Sequence, residues 1–176
     1  VVRGLAGSVL GLLAVTGSAQ ATEQIPDRIR IDGRQAHLLA EPLSGPLDDP
    51  ATWKRFVAKA GTTLGSCTAN WRGYQAFWRL DARQLVLDRV VLGACNDTPP
   101  ELPLEVLFPG QHAPVPAVWV DGELIVAMPP AADASSAAAS HLLLRLRRGQ
   151  VIAQDILTEQ MLRARRAAAA SGPAVP

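Results

Sequence analysis

Ser66-Cys67-Thr68-Ala69-Asn70-Trp71-Arg72-Gly73-Tyr74 sets a thiol, a guanidinium and two aromatic rings side by side, the densest grouping of chemically able side chains in the sequence. An arginine between aromatic residues can stack its charged plane on a ring, or join the rings in a ledge for a ligand or partner. The plainer alternative makes Trp71 and Tyr74 core anchors, gives Gly73 a bulge or a neighbouring ring, and pairs Arg72 at the surface. Trp119 and Glu123 flank an Asp121-Gly122 turn signal, and Glu123 would point into a cavity if its hairpin lined one. Trp71, Arg72, Tyr74, Trp119 and Glu123 are therefore the candidate binding positions, on the expectation that two hairpins share one surface or cavity mouth.

Catalytic signatures are missing. The sequence contains no phosphate-binding glycine loop, no G-x-S-x-G elbow, no H-E-x-x-H pair and no doubled C-x-x-C. His37, His112 and His141 are isolated along the chain, and a zinc site would need them to converge with a carboxylate. No metal, cofactor or catalytic residue is expected. Asp48-Asp49 reads as a polar loop ahead of a helix, and Asp121 with Glu123 as a turn.

Arg3, the apolar run from Leu5 to Val15 and the small-residue end Ala19-Gln20-Ala21 read as a secretory leader covering residues 1–21. Gly7, Ser8, Gly11 and Thr16 interrupt a run already too brief for a comfortable membrane span. The expected location is the periplasm or beyond the cell, with no transmembrane anchor in the mature chain. Such a compartment permits oxidation, so the two cysteines, Cys67 and Cys95, are expected to pair rather than to leave Cys67 as a histidine-activated nucleophile. Closing a loop of about 28 residues removes roughly 3.5 kcal/mol of unfolded-chain entropy.

The formal net charge of +1 falls to about zero once Arg3 is removed, which disfavours nucleic acid as a partner. The C-terminal segment is basic, with Arg145, Arg147, Arg148, Arg163, Arg165 and Arg166 facing only Asp155 and Glu159. A solvated strand edge and helix face account for that run more simply than an anionic partner does.

These residues must be held by strands. Four apolar or alternating runs break at a turn signal and resume. The first, Arg28 to Leu39, turns at Asp32-Gly33, with Ile29 and Ile31 inward. The second, Trp71 to Leu92, turns at Asp81-Ala82-Arg83, places Tyr74, Ala76, Trp78 and Leu80 on one face, and has a bulge or two-sided burial in its return strand. The third, Ala117 to Ala127, turns at Asp121-Gly122. The fourth, Leu142 to Ile156, turns at Arg148-Gly149.

The fold class is mainly β: an antiparallel meander of about eight strands closing as a barrel or folding as a sandwich, with one or two peripheral helices. The helices are Pro50–Ala60, capped by Asp49 and carrying Trp53, Phe56, Val57 and Ala60 on its apolar side, and a C-terminal one beginning at Thr158. The β-rich domain spans residues 22–157. The helix and a frayed tail, 171–176, follow. The proline-rich stretch 99–116 is pinned to the core by Leu104, Val106, Leu107 and Phe108, and 129–140 is an Ala/Ser loop.

The run Thr68-Ala69-Asn70-Trp71-Arg72-Gly73-Tyr74-Gln75-Ala76-Phe77-Trp78 resembles the S-T-A-C-W-R-G-Y-x-A-x-W signature of a group of small bacterial proteins without an assigned function. Leu85-Val86-Leu87, Leu107-Phe108-Pro109 and a W-x-x-G-E-L hairpin at Trp119 to Leu124 follow in the same order. Asn70 replaces the group's usual cysteine. The resemblance implies a shared fold and brings no catalytic residues.

The sequence thus points to an exported protein acting by binding, its ligand or protein partner unknown. One rival is a periplasmic inhibitor or immunity-type protein that binds a hydrolase or toxin. A second is a hydrolase using Glu123 or an aspartate with a histidine as acid and base.

Overall fold

Alternation of charged and apolar residues in Arg28-Ile29-Arg30-Ile31 needs one wet and one dry face. The computed structural model of the chain supplies both, burying Ile29 and Ile31 and exposing the arginines. The structure describes residues 24–61, 64, 67–129 and 141–170. The expected leader, the Ala/Ser loop beyond Pro129 and the C-terminal tail lie outside those residues.

In chain order the elements are β1 (Asp27–Ile31), β2 (Arg34–Leu38), α1 (Ser44–Leu47), α2 (Pro50–Ala60), β3 (Tyr74–Asp81), β4 (Gln84–Leu92), β5 (Glu101–Leu102), β6 (Val115–Pro116), β7 (Gly122–Ala127), β8 (His141–Arg147), β9 (Gln150–Leu157) and α3 (Glu159–Ala170). Seven strands close a barrel in the order β3-β1-β2-β7-β8-β9-β4, with β4 returning to β3 and the short β5 and β6 attached to β4. Three hairpins fall where the turn chemistry places them. Each turns on two residues of positive φ, the twist-matched primed geometry: Asp32-Gly33, Ala82-Arg83 and Arg148-Gly149. The return strand β4 does carry a bulge. Phe77 pairs with Arg89 and Trp78 with Leu87, which leaves Asp88 over.

Two expectations are corrected. The sheet is not wholly antiparallel: β1 runs parallel to β3, with Ile29 opposite Trp78, because the two strands meet by closing the barrel rather than through a turn. Asp121-Gly122 makes no hairpin. The preceding residues, Val115–Pro116, pair with β4, Ala117 donates to Leu85 O, and β7 leaves to pair with β2 and β8. The Asp121 carboxylate instead accepts from Arg148 N (2.9 Å) at the β8–β9 turn. The W-x-x-G-E-L segment is thus a crossing between strands.

Trp78, Leu38, Leu85, Leu87, Val90 and Leu144 fill the barrel interior. Asp49 caps α2 by accepting from Thr52 N and Thr52 Oγ1, both at 2.8 Å. The buried stripe of α2 is Thr52, Phe56 and Ala60, which turns Trp53 off the core and leaves it 46 % exposed, contrary to its expected inward placement. At the other end, Thr158 Oγ1 accepts from Met161 N and Leu162 anchors α3.

Candidate functional site

Asp27 is the inward residue that precedes Ile29 and Ile31 on β1, so strand periodicity drives a carboxylate into the barrel end. It is fully buried and accepts from Arg72 Nη2 (2.7 Å), Ala76 N (3.0 Å) and Trp78 Nε1 (3.0 Å). Burial raises its pKa above the ordinary value, opposed by Arg72 first and then by the Trp78 and Ala76 donors. Arg72 uses its remaining donors on Ile25 O and Tyr74 O, pairs with Glu41 at 2.9 Å, and lies 4.7 Å from the Tyr74 ring centre. The guanidinium is thereby fixed in place.

The backbone around it is equally constrained. Gly73 adopts φ +79°, and a Cβ there would stand 2.6 Å from Leu64 Cδ2 and 3.1 Å from Leu64 Cα. Asn70 is buried in a 3-10 turn, and its amide, oriented to satisfy both neighbours, donates to Tyr74 O and accepts from Ala94 N. The Cys67–Cys95 disulfide ties this turn to the chain leaving β4 across a Cα separation of 6.4 Å. Ile25 N donates to Ala69 O, and Trp71 N to Gln24 Oε1.

On this frame Trp71 stands 71 % exposed. Trp71, Trp53, Leu64, Tyr74, Arg72 and Glu41 line a cleft of about 370 Å³. Tyr74 is buried, edge-on to Phe56 at 5.8 Å, and burial first and Asp27 second push its hydroxyl pKa up. Trp53 packs on the same Phe56 at 5.5 Å. The cleft therefore has a rigid aromatic floor and two solvent-facing indoles.

Of the residues predicted from sequence, Trp71, Arg72 and Tyr74 come together here. Trp119 does not join them. It stacks on Phe108 at 4.8 Å, donates to Pro42 O at 2.8 Å, and lines a neighbouring cleft that shares only Glu41. Glu123 is on the outward face of β7, paired with Arg145 (3.2 Å) and with Arg165 of α3 (2.5 Å). The two segments thus share no single cavity mouth. Comparison with protein-family models, curated proteins and solved structures finds no match. The geometry has to speak for the signature run.

That geometry assigns much of the signature to architecture: Asn70, Arg72, Gly73 and Trp78 all serve the Asp27 network or the turn that feeds it. Sequence reading missed Trp53, absorbed into a helical apolar stripe, and Glu41, which carries no local signal. It also missed Asp27, although the period-two pattern through Ile29 and Ile31 marks that position as inward. Two of the carboxylates that an acid/base pair would draw on are engaged with arginines. Glu123 holds arginines and Asp27 holds Arg72, while His112 contacts Glu105 at an exposed site. Among the described residues no three histidine, cysteine or carboxylate side chains group as metal ligands.

Proposed function

We propose that this chain is an exported interaction protein that docks a partner polypeptide in the Trp53–Trp71 cleft. The observation that carries this reading is the pair of indoles, 46 % and 71 % exposed, on one cleft whose floor is held by the buried Arg72–Asp27 pair. Leaving two tryptophans wet forgoes burial worth about 1.5–3 kcal/mol for a large apolar side chain, which a partner would recover. Tryptophan, tyrosine and arginine are also the residues that dominate interface hot spots. An apolar side chain of the partner would enter between the rings, with its backbone near Glu41. The disulfide agrees with an oxidising compartment. An inhibitor of an envelope hydrolase is one form such a partner relationship takes.

A photo-crosslinking residue placed at Trp71 or Trp53 in the native host tests this directly. The expected result is one discrete adduct from both positions and none from Ile152, a comparably exposed control on β9. Adducts no different from the Ile152 control would overturn the reading. Trp71→Ala should abolish the adduct formed from position 53 while the unfolding midpoint stays within a few degrees of the native one.

A further inference from the structure

We propose that the outward face of β2, β7 and β8, beside α3, is a second site, one that takes an organic carboxylate with an apolar body. His37 of β2 is paired with Ala127 of β7, which is paired in turn with His141 of β8. Directly paired residues project from the same side of a sheet, so two imidazoles flank a single methyl group, their strands about 10 Å apart. The small residue leaves a trough between two nitrogen-bearing walls. This trough belongs to a cleft of about 460 Å³ that also takes in Ile25, Leu39, Ala40 and Arg166.

Two features give the cleft a preference in charge. The His141 side chain is only 9 % exposed, and its Nδ1 is buried with no hydrogen-bond partner among the described residues, Glu159 Oε2 standing 4.0 Å away. A buried nitrogen left in that state is destabilising, and because it has almost no accessible surface a ligand oxygen would meet it once the ring turns toward the cleft. Arg166 has no ion-pair partner among the described residues, whereas its neighbours on α3 do: Arg163 holds Glu159 and Arg165 holds Glu123. The two carboxylates on the cleft wall, Asp27 and Glu41, both pair with Arg72, which lines the same cleft and offsets one of their two charges, so Arg166 is the lining's one guanidinium without an ion pair among the described residues. The cleft thus offers one guanidinium and an imidazole donor to a single negative group, and apolar wall to the rest of the ligand. A bare dianion would find too little positive charge and would leave the Leu39 and Ile25 surfaces uncovered.

Hexanoate, with 1-hexanol as its neutral counterpart and inorganic phosphate as the bare anion, is titrated into the isotope-labelled full chain. Calorimetry and the side-chain resonances of His141 and Arg166 are followed together. Hexanoate is expected to bind one to one, at least tenfold more tightly than hexanol, and to shift both resonances. Arg166→Ala and His141→Gln should each weaken hexanoate fivefold or more while leaving hexanol unchanged. Equal affinity for hexanoate and hexanol, phosphate binding as tight as hexanoate, or an Arg166→Ala affinity within twofold of the native chain would each overturn the proposal. Arg166 is exposed, so its variant carries the test even where His141→Gln fails to fold. The two clefts share Glu41 and Arg72, but Trp71 lines the aromatic one and not this one, so Trp71→Ala should leave hexanoate binding intact.

Discussion

Arg72 and Asp27 illustrate how much one buried ion pair can organise. The carboxylate has lost its water, and the arginine restores part of that loss while also holding Glu41 and covering Tyr74. Removing one partner strands the other, which typically costs about 3–5 kcal/mol. Arg72→Met should therefore lower the denaturant-derived unfolding free energy by roughly that amount at neutral pH. The pH dependence follows from the raised pKa of Asp27. Above its folded value the native state bears a charged, desolvated carboxylate, and as pH falls through that value toward the ordinary 3.8 protonation removes the burden. The deficit of Arg72→Met relative to the native chain should accordingly shrink on acidification, and Asp27→Asn added to it should recover stability at neutral pH. Chemical denaturation at several pH values checks both. A deficit that grows toward low pH would contradict this account of Asp27.

Among the elements, α2 matters because it carries one wall of the aromatic cleft. Its cap and buried stripe set Phe56 under both Trp53 and Tyr74. Phe56→Ala should cost about 3–5 kcal/mol, the range for emptying a core aromatic site, and should red-shift Trp53 emission as the indole loses its support. Local chemistry made much of this level legible in the sequence. Asp49, Pro50 and Gly61 bound α2, and the Asp32-Gly33 and Arg148-Gly149 turns sit between alternating strands. The illegible part lies where a distant segment outcompetes a local signal. Asp121-Gly122 has the right chemistry for a hairpin, yet the proline-bearing β6 finds its pairing on β4, and the Asp121 carboxylate is drawn to the next turn. The site was half legible for the same reason. Trp71, Arg72 and Tyr74 are neighbours in sequence, whereas Trp53 and Glu41 reach them only through the fold.

At the scale of the whole molecule, the disulfide and the strand order decide what holds the barrel shut. The Cys67–Cys95 link, 28 residues apart, joins the turn before β3 to the chain after β4. Cys67→Ser with Cys95→Ser should lower stability by about 3.5 kcal/mol if loop entropy is the whole effect, read from chemical denaturation beside the native chain. The cylinder is closed unevenly. Four of the seams are ladders of five to eight pairs, β1–β3 and β2–β7 have three and two, and β4 and β9 register at one pair only, Gln84 with Gln150, supported by Leu85 N to Gly149 O and Val151 N to Arg83 O. Gly149 fits there because a Cβ would lie 2.5 Å from Ala117 O. Where few amides lock two staves together, thermal breathing starts. Deuterium should reach the Leu85 and Val151 amides well before those of the β3–β4 and β7–β8 ladders. The native barrel would then unzip lengthwise along that line, its two hairpin-built halves parting there first.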